Sequence, residues 1–148
     1  MLWVISTDSN TCRIYSYKKS PAELIMLKEI LHPENKLRKQ DLVSDKPGHF
    51  KTKGPSHGAF IPSSDPKEVK IDTFSRQIAE ELDKGRVNQS YKQFILIAPP
   101  HVNGLLNQHF NKHVKSLLYK AIQKDVLHLS QQELLTFLSE HAKFQDDP

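Results

Sequence analysis

Five consecutive apolar residues, Phe94-Ile95-Leu96-Ile97-Ala98, run straight into Pro99-Pro100. A run with no polar face does not fit a half-solvated strand, and it is too short for a buried helix. It suits a central strand covered on both sides, as in sheets that contain parallel strands and carry helices on their faces. The two prolines stop it, and His101-Val102-Asn103-Gly104 leads into an amphipathic segment. Ligands of α/β sheets gather beyond the carboxyl ends of such strands, which marks residues 99–104 as the place to look.

The rest of the chain supplies partners for that strand. Leu2 to Thr7 reads as a strand, Asp8-Ser9-Asn10 as a turn, and Cys12 to Tyr17 as a half-buried strand of alternating pattern. Glu23 to Leu31 suits helix or strand; the short link Lys18-Lys19-Ser20-Pro21 favours a third antiparallel strand. Residues 33–65 form a long polar stretch with three of the five glycines, of the kind that is functional or unstructured inside a compact domain. Asp65-Pro66-Lys67-Glu68 is a helix start: Asp65 caps, Pro66 takes the first position, and Glu68 closes a capping box. Gly85 is the expected stop. A strand over 93–98 and one helix over 102–115 follow. Ser116 to Ile122 fits either more helix or a strand. Ser130-Gln131-Gln132-Glu133 is a second capping box, opening a last helix, and residues 143–148 are a frayed tail.

With 116–122 as a strand, the order is βββαβαβα in a single domain spanning 1–148. The predicted architecture is α/β, a mixed five-stranded sheet with helices on its faces. That order resembles the ribonuclease-H-like fold and the fold of several translation-machinery proteins.

Composition narrows the function classes. The chain has 148 residues, 37% of them apolar, and no apolar run near the roughly 18 residues of a membrane span. Met1 to Ile5 reads as a first strand, not as a signal peptide. A single cysteine, Cys12, excludes an intramolecular disulfide and suits a reducing cytoplasm. The net charge of +4 is mildly basic, compatible with RNA and short of a dedicated nucleic-acid binder.

Four local patterns line up in order. They are Trp3-Val4-Ile5 followed by Arg13-Ile14-Tyr15; Asp41-Leu42-Val43-Ser44-Asp45-Lys46-Pro47-Gly48; Ile97-Ala98-Pro99-Pro100 with Gly104-Leu105-Leu106; and Lys124-Asp125-Val126 before Leu129-Ser130. Together they resemble the bacterial host attachment family, also grouped with bacterial relatives of the archaeo-eukaryotic peptide-chain release factor. The resemblance covers nearly the whole chain. Val126 stands where the family usually has Leu, and Asn107-Gln108 where many members carry a basic residue. The resemblance implies the release factor's middle domain as a structural relative. That domain positions water for peptidyl-tRNA hydrolysis with a Gly-Gly-Gln loop. The corresponding place here, Lys51 to Ile61, has no Gly-Gly pair and no Gln, so hydrolysis is not carried over.

A ribonuclease-H-like order raises metal-dependent chemistry, which needs carboxylates converging on two ions about 3.5–4 Å apart. Asp8, Asp45 and Asp125 are the candidates, with Glu80 or Glu81 as a helix-borne acid. The expected acid at the end of the 93–98 strand is replaced by Ala98-Pro99-Pro100. The plainer readings are a turn residue for Asp8, a solvated helix face for Glu80 and Glu81, and a loop acceptor for Asp125. His109 and His113, at i and i+4 with His101 upstream, have zinc-like spacing, but no Glu follows His109 to make the metalloprotease pattern. Exposed polar histidines are the plainer reading, and no metal is expected.

Binding is the leading expectation. Lys46, His49, Lys51, Lys53 and His57 make a basic, glycine-containing stretch suited to phosphate or RNA, whose plainer reading is a solvated loop. Pro99, Pro100, His101, Asn103 and Gly104 form the second surface. No Walker-type or dinucleotide-type glycine motif occurs, so no nucleotide cofactor is implied. The sequence thus points to a cytoplasmic, non-catalytic interaction protein contacting RNA or the ribosome. The alternatives are a metal-dependent hydrolase or nuclease using Asp8, Asp45 and Asp125, and an indirect role in attachment to host cells. No oligomeric state is implied.

Overall fold

The computed structural model describes residues 1–32 and 65–141. In chain order the elements are β1 (Leu2–Thr7), β2 (Thr11–Lys19), β3 (Ala22–Leu31), α1 (Pro66–Val87), β4 (Gln93–Ile97), α2 (Pro100–His109), α3 (Lys112–Lys115), β5 (Leu118–Ile122) and α4 (Gln131–His141). The strands form one sheet in the order β3-β2-β1-β4-β5. β1, β2 and β3 meander antiparallel, while β4 and β5 join β1 in parallel. This is the mixed five-stranded α/β sheet that the element order predicts, and the open choices at 23–31 and 116–122 both resolve to strand.

The period-two alternation of the strands divides the core in two. On one face Trp3, Ile5, Cys12, Ile14, Phe94, Leu96 and Ala98 meet α1, α2 and α3 through Phe74, Ile78, Leu82, Leu106 and Val114. On the other, Val4, Tyr15, Tyr17, Ile95 and Ile97 meet Val126 and the α4 residues Leu134 and Leu138. β4 is therefore sealed on both sides, with Phe94 to Ala98 all at 0% exposure. Each such large side chain contributes about 1.5–3 kcal/mol on leaving water. Gln131 Nε2 donates to the Leu24 carbonyl and ties α4 to β3.

Local signals set most helix ends. Asp65 caps α1 by accepting from Lys67 N at 3.0 Å. Ser130 and Glu133 close the predicted capping box reciprocally, Ser130 N donating to Glu133 Oε1 at 2.8 Å and Glu133 N to Ser130 Oγ at 3.1 Å. Three expectations are corrected. Glu68 does not reach back to its own cap; its Oε1 lies 2.9 Å from His101 Nε2 on α2. Gly85 does not stop α1, which runs on to Val87. The stop is a Schellman turn: Ser90 N donates to Gly85 O and Gln89 N to Arg86 O, with Gln89 in the left-handed region at φ 58°. Gly85 is a packing residue instead, because a Cβ there would stand 2.8 Å from Trp3 Cη2 and 3.0 Å from Tyr91 Cε1.

The third correction is the single helix over 102–115. The chain turns extended at Phe110, whose buried ring meets Phe94 edge-on at 5.6 Å, and a new turn, α3, starts beyond it. Asn111 caps that turn by accepting from Val114 N at 2.8 Å. Burying Phe110 against Phe94 outweighs one more turn of continuous helix. His109 and His113 consequently sit on separate helices, and their i, i+4 relation no longer places them on one face.

Candidate binding edge at the carboxyl end of the parallel strands

The registers align Ser6 with Ile97 and Ile97 with Ile122. Two residues further on, the ends of β1, β4 and β5 deliver Asp8, Pro99 and Lys124 to one edge of the sheet. After β4 the chain turns to the face covered by α1–α3; after β5 it turns to the face covered by α4. Such a divergence opens a crevice between two strand ends, where open α/β sheets take their ligands.

The acids at this edge are engaged in their own loops. Asp8 Oδ1 accepts from Asn10 N and Thr11 N, both at 2.8 Å, and organises the β1–β2 turn. Asp125 Oδ1 accepts from Leu127 N at 3.2 Å. β4 lies between β1 and β5, so their backbones are about 10 Å apart. Pro99 and Pro100 occupy the intervening position and carry no ligating group. Among the described residues, no three of His, Cys, Asp or Glu are grouped to hold a metal. Glu81 Oε2 accepts from Lys28 Nζ at 2.9 Å. Asp45, together with Lys46, His49, Lys51, Lys53 and His57, lies outside the described residues.

The 99–104 segment is built as a helix start without a side-chain cap. Pro99 is the cap position with extended backbone, and Pro100 the first helical residue. Neither has an N–H, so of the four orphan donors at a helix start only those of His101 and Val102 remain before Asn103 N bonds Pro99 O at 2.8 Å. His101 is exposed beside Glu68. Asn103 is buried at 2% exposure; its Oδ1 accepts from Asn107 Nδ2 at 3.2 Å and its own Nδ2 has no partner. Gly104 is exposed, with no atom within 4 Å of where a Cβ would stand.

A second polar cluster lies between α1 and α2. His109 Nε2 sits 2.7 Å from Asp72 Oδ1, and Arg76 Nη2 donates to Asp72 Oδ2 at 3.3 Å. His109 and Arg76 line a groove of about 300 Å³ with Ala79, Glu80, Asp83 and Asn111. Asn111 Nδ2 and Arg86 Nε both donate to Asp83 Oδ1, holding its carboxyl below the ordinary value. The Asp72–Arg76 pair was readable as an i, i+4 ion pair on a helix. The approach of His109, 37 residues away, had no local signal. Away from both clusters, burial pushes the Cys12 thiol up to about 12, so it is a core residue without nucleophilic character.

Comparison with known proteins adds a lineage. A family model described as "Protein required for attachment to host cells" matches residues 3–138. No match to a curated protein was found. Among solved structures, one described as an archaeal protein aligns with a TM-score of 0.51 at 16% identity, covering 96% of this chain and 34% of that one. A crystal structure of an archaeal translation termination factor aligns with a TM-score of 0.45 at 13% identity, over 95% of this chain and 38% of that one. The chain thus spans little more than a third of the length of either structure. The first likeness concerns the fold alone.

Proposed function

The chain belongs to the host attachment family, and from that premise we propose that it is a non-catalytic interaction protein that contacts RNA or the ribosome. The observation that carries this reading is the end of β4. Two prolines stand where a sheet of this kind would offer an acid, and the flanking carboxylates of Asp8 and Asp125 accept from backbone amides of their own turns. What this edge offers a partner is His101, the exposed Gly104, and the lysine at 124. The basic stretch 46–58 supplies the second contact. The missing Gly-Gly-Gln element argues for binding without peptidyl-tRNA hydrolysis. We place the protein in the cytoplasm on its lone buried cysteine; among the described residues no helix is long and apolar enough to cross a membrane.

Co-sedimentation with ribosomes at rising salt tests the reading. Association that weakens as salt rises is expected, since phosphate contacts release counterions. Absence from the ribosomal fraction at every salt concentration would sink the ribosomal reading, and failure to bind free RNA as well would sink the whole. The competing hydrolase reading predicts metal-dependent cleavage that Asp8→Ala abolishes; we expect no such cleavage. A role in attachment to host cells, as the family description has it, would on this reading be indirect.

A further inference from the structure

From Lys84 to Lys124 the chain contains no Asp or Glu but seven Lys and Arg, leaving 14 of the 21 basic residues for the remainder against all 17 acidic ones. The mild overall charge hides this separation. The fold then gathers most of the stretch at the end of the molecule opposite the 99–104 edge. Lys92 N donates to Met1 O, Phe94 N to Leu117 O, and Asn111 Nδ2 to Asp83 Oδ1. These bonds bring the end of α1, the 88–92 turn and α3 together at the amino end of the parallel strands. Lys84, Lys92, Lys112 and Lys115 are all exposed there. Lys120, exposed, continues the line up the outer strand β5, and Lys124 lies beyond that strand at the carboxyl edge.

A solvated face is the plain alternative, and for Lys84 and Arg86 the dipole at the end of α1 is reason enough. It does not account for the rest. Among the described residues, Arg13, Lys18, Lys28 and Arg76 elsewhere each have a carboxylate partner, whereas in this stretch only Arg86 does, with Asp83. Among the described residues, six lysines thus stand without an ion pair along one end and one edge. The mutual repulsion this leaves is relieved by a polyanion.

We infer that this end of the molecule binds the phosphate backbone of double-helical RNA. The inference rests on the RNA reading above and assigns the contact to a different surface. A duplex is favoured over a single strand because, among the described residues, the large aromatic rings are withdrawn from this surface: Tyr91, Phe94 and Phe110 are buried and Tyr119 is half-buried, leaving the imidazole of His113 as the exposed ring. A membrane surface fits less well, because Met1 and Val87 are the only large apolar side chains exposed at this end among the described residues.

The test measures binding of the full chain to an RNA duplex, a DNA duplex, single-stranded RNA and anionic vesicles across a salt series. A variant carrying Lys92→Glu, Lys112→Glu and Lys115→Glu should bind the RNA duplex at least about tenfold more weakly. Its log-affinity against log-salt slope should fall by about one per lysine that touches a phosphate. The matched Lys→Arg variant should keep both, and thermal unfolding should show both variants folded. Undiminished RNA binding by the Glu variant, or tighter binding to vesicles, to single strands or to the DNA duplex, would overturn the inference. Ribosome co-sedimentation separates the two claims. If the Glu variant still co-sediments, the interaction stands and this surface does not. If wild type binds duplex RNA through these lysines yet ignores ribosomes, the surface stands and the ribosomal reading does not.

Discussion

Gly85 and Gly104 stand at opposite ends of the parallel strands, and they do opposite things. At the amino end, Gly85 lets α1 settle onto the stacked rings of Trp3 and Tyr91, whose centroids are 4.5 Å apart, while Tyr91 donates its hydroxyl to Leu82 O at 2.6 Å. At the carboxyl end, Gly104 lies in a helix whose surroundings would accept a side chain. The amino end is closed by aromatic packing and wears its lysines outside. The carboxyl end is made of short polar turns around an uncapped helix start. Topology alone would have assigned all functional interest to the carboxyl end. The distribution of charge and packing divides that interest between the two.

Substitutions can break this contrast. The largest effect is expected of Gly85→Ala: the added methyl must displace Trp3 or Tyr91, destabilising the fold by about 1–3 kcal/mol, the range for overpacking. Chemical denaturation measures it, and a neutral result would mean the rings move freely. Asn111→Ala removes the cap of α3 and the first donor to Asp83, with an expected loss of about 1 kcal/mol. The effect should depend on pH. A carboxyl held below its ordinary value stabilises the fold above its unfolded pKa and loses that contribution as pH falls through the folded value. The deficit of the variant should therefore be larger at neutral pH than in acid, and unfolding curves at several pH values would check it. Gln89→Gly relieves the left-handed backbone at the end of α1 and should stabilise by about 1 kcal/mol. The smallest change is expected at the other end. Gly104→Ala should stabilise α2 by about 0.5–1 kcal/mol, the ordinary helix propensity difference, with no packing cost. If both glycine substitutions had the same sign, the contrast between the two ends would fail.

Where the sequence was legible, the signal was local. β4 declared itself by an apolar run without a polar face, and the starts of α1 and α4 by Asp65 and by Ser130 with Glu133. Each of these depends on residues within a few positions of one another. Where reading failed, distant packing had outvoted a local cue. Gly85 carries the mark of a helix stop, yet it is glycine because Trp3 needs the space over it, and the turn falls at Gln89. The run over 102–115 has helical spacing throughout, yet breaks at Phe110 because that ring has a place against Phe94. Glu68 suits a capping box, yet His101 stands within reach of it. At the candidate edge, the strand stop and helix start over residues 99–104 were readable from the two prolines, whereas the grouping of His109 with Asp72 and Arg76 was not, since neither residue is near His109 in the chain.

The sequence by itself determined the class of fold, the central strand, the starts of α1 and α4, and the absence of an acid after that strand. These follow from periodicity and from short-range hydrogen bonding, which act before any tertiary contact exists. Only the tertiary structure decided which residues became neighbours across the sheet. It set β4 between the strand ends that carry Asp8 and Asp125, gave Gly85 its purpose, and assembled scattered lysines into one end and one edge. Those outcomes depend on strand order and on which side of the sheet each helix packs. Burial sets both, collectively, over the whole molecule.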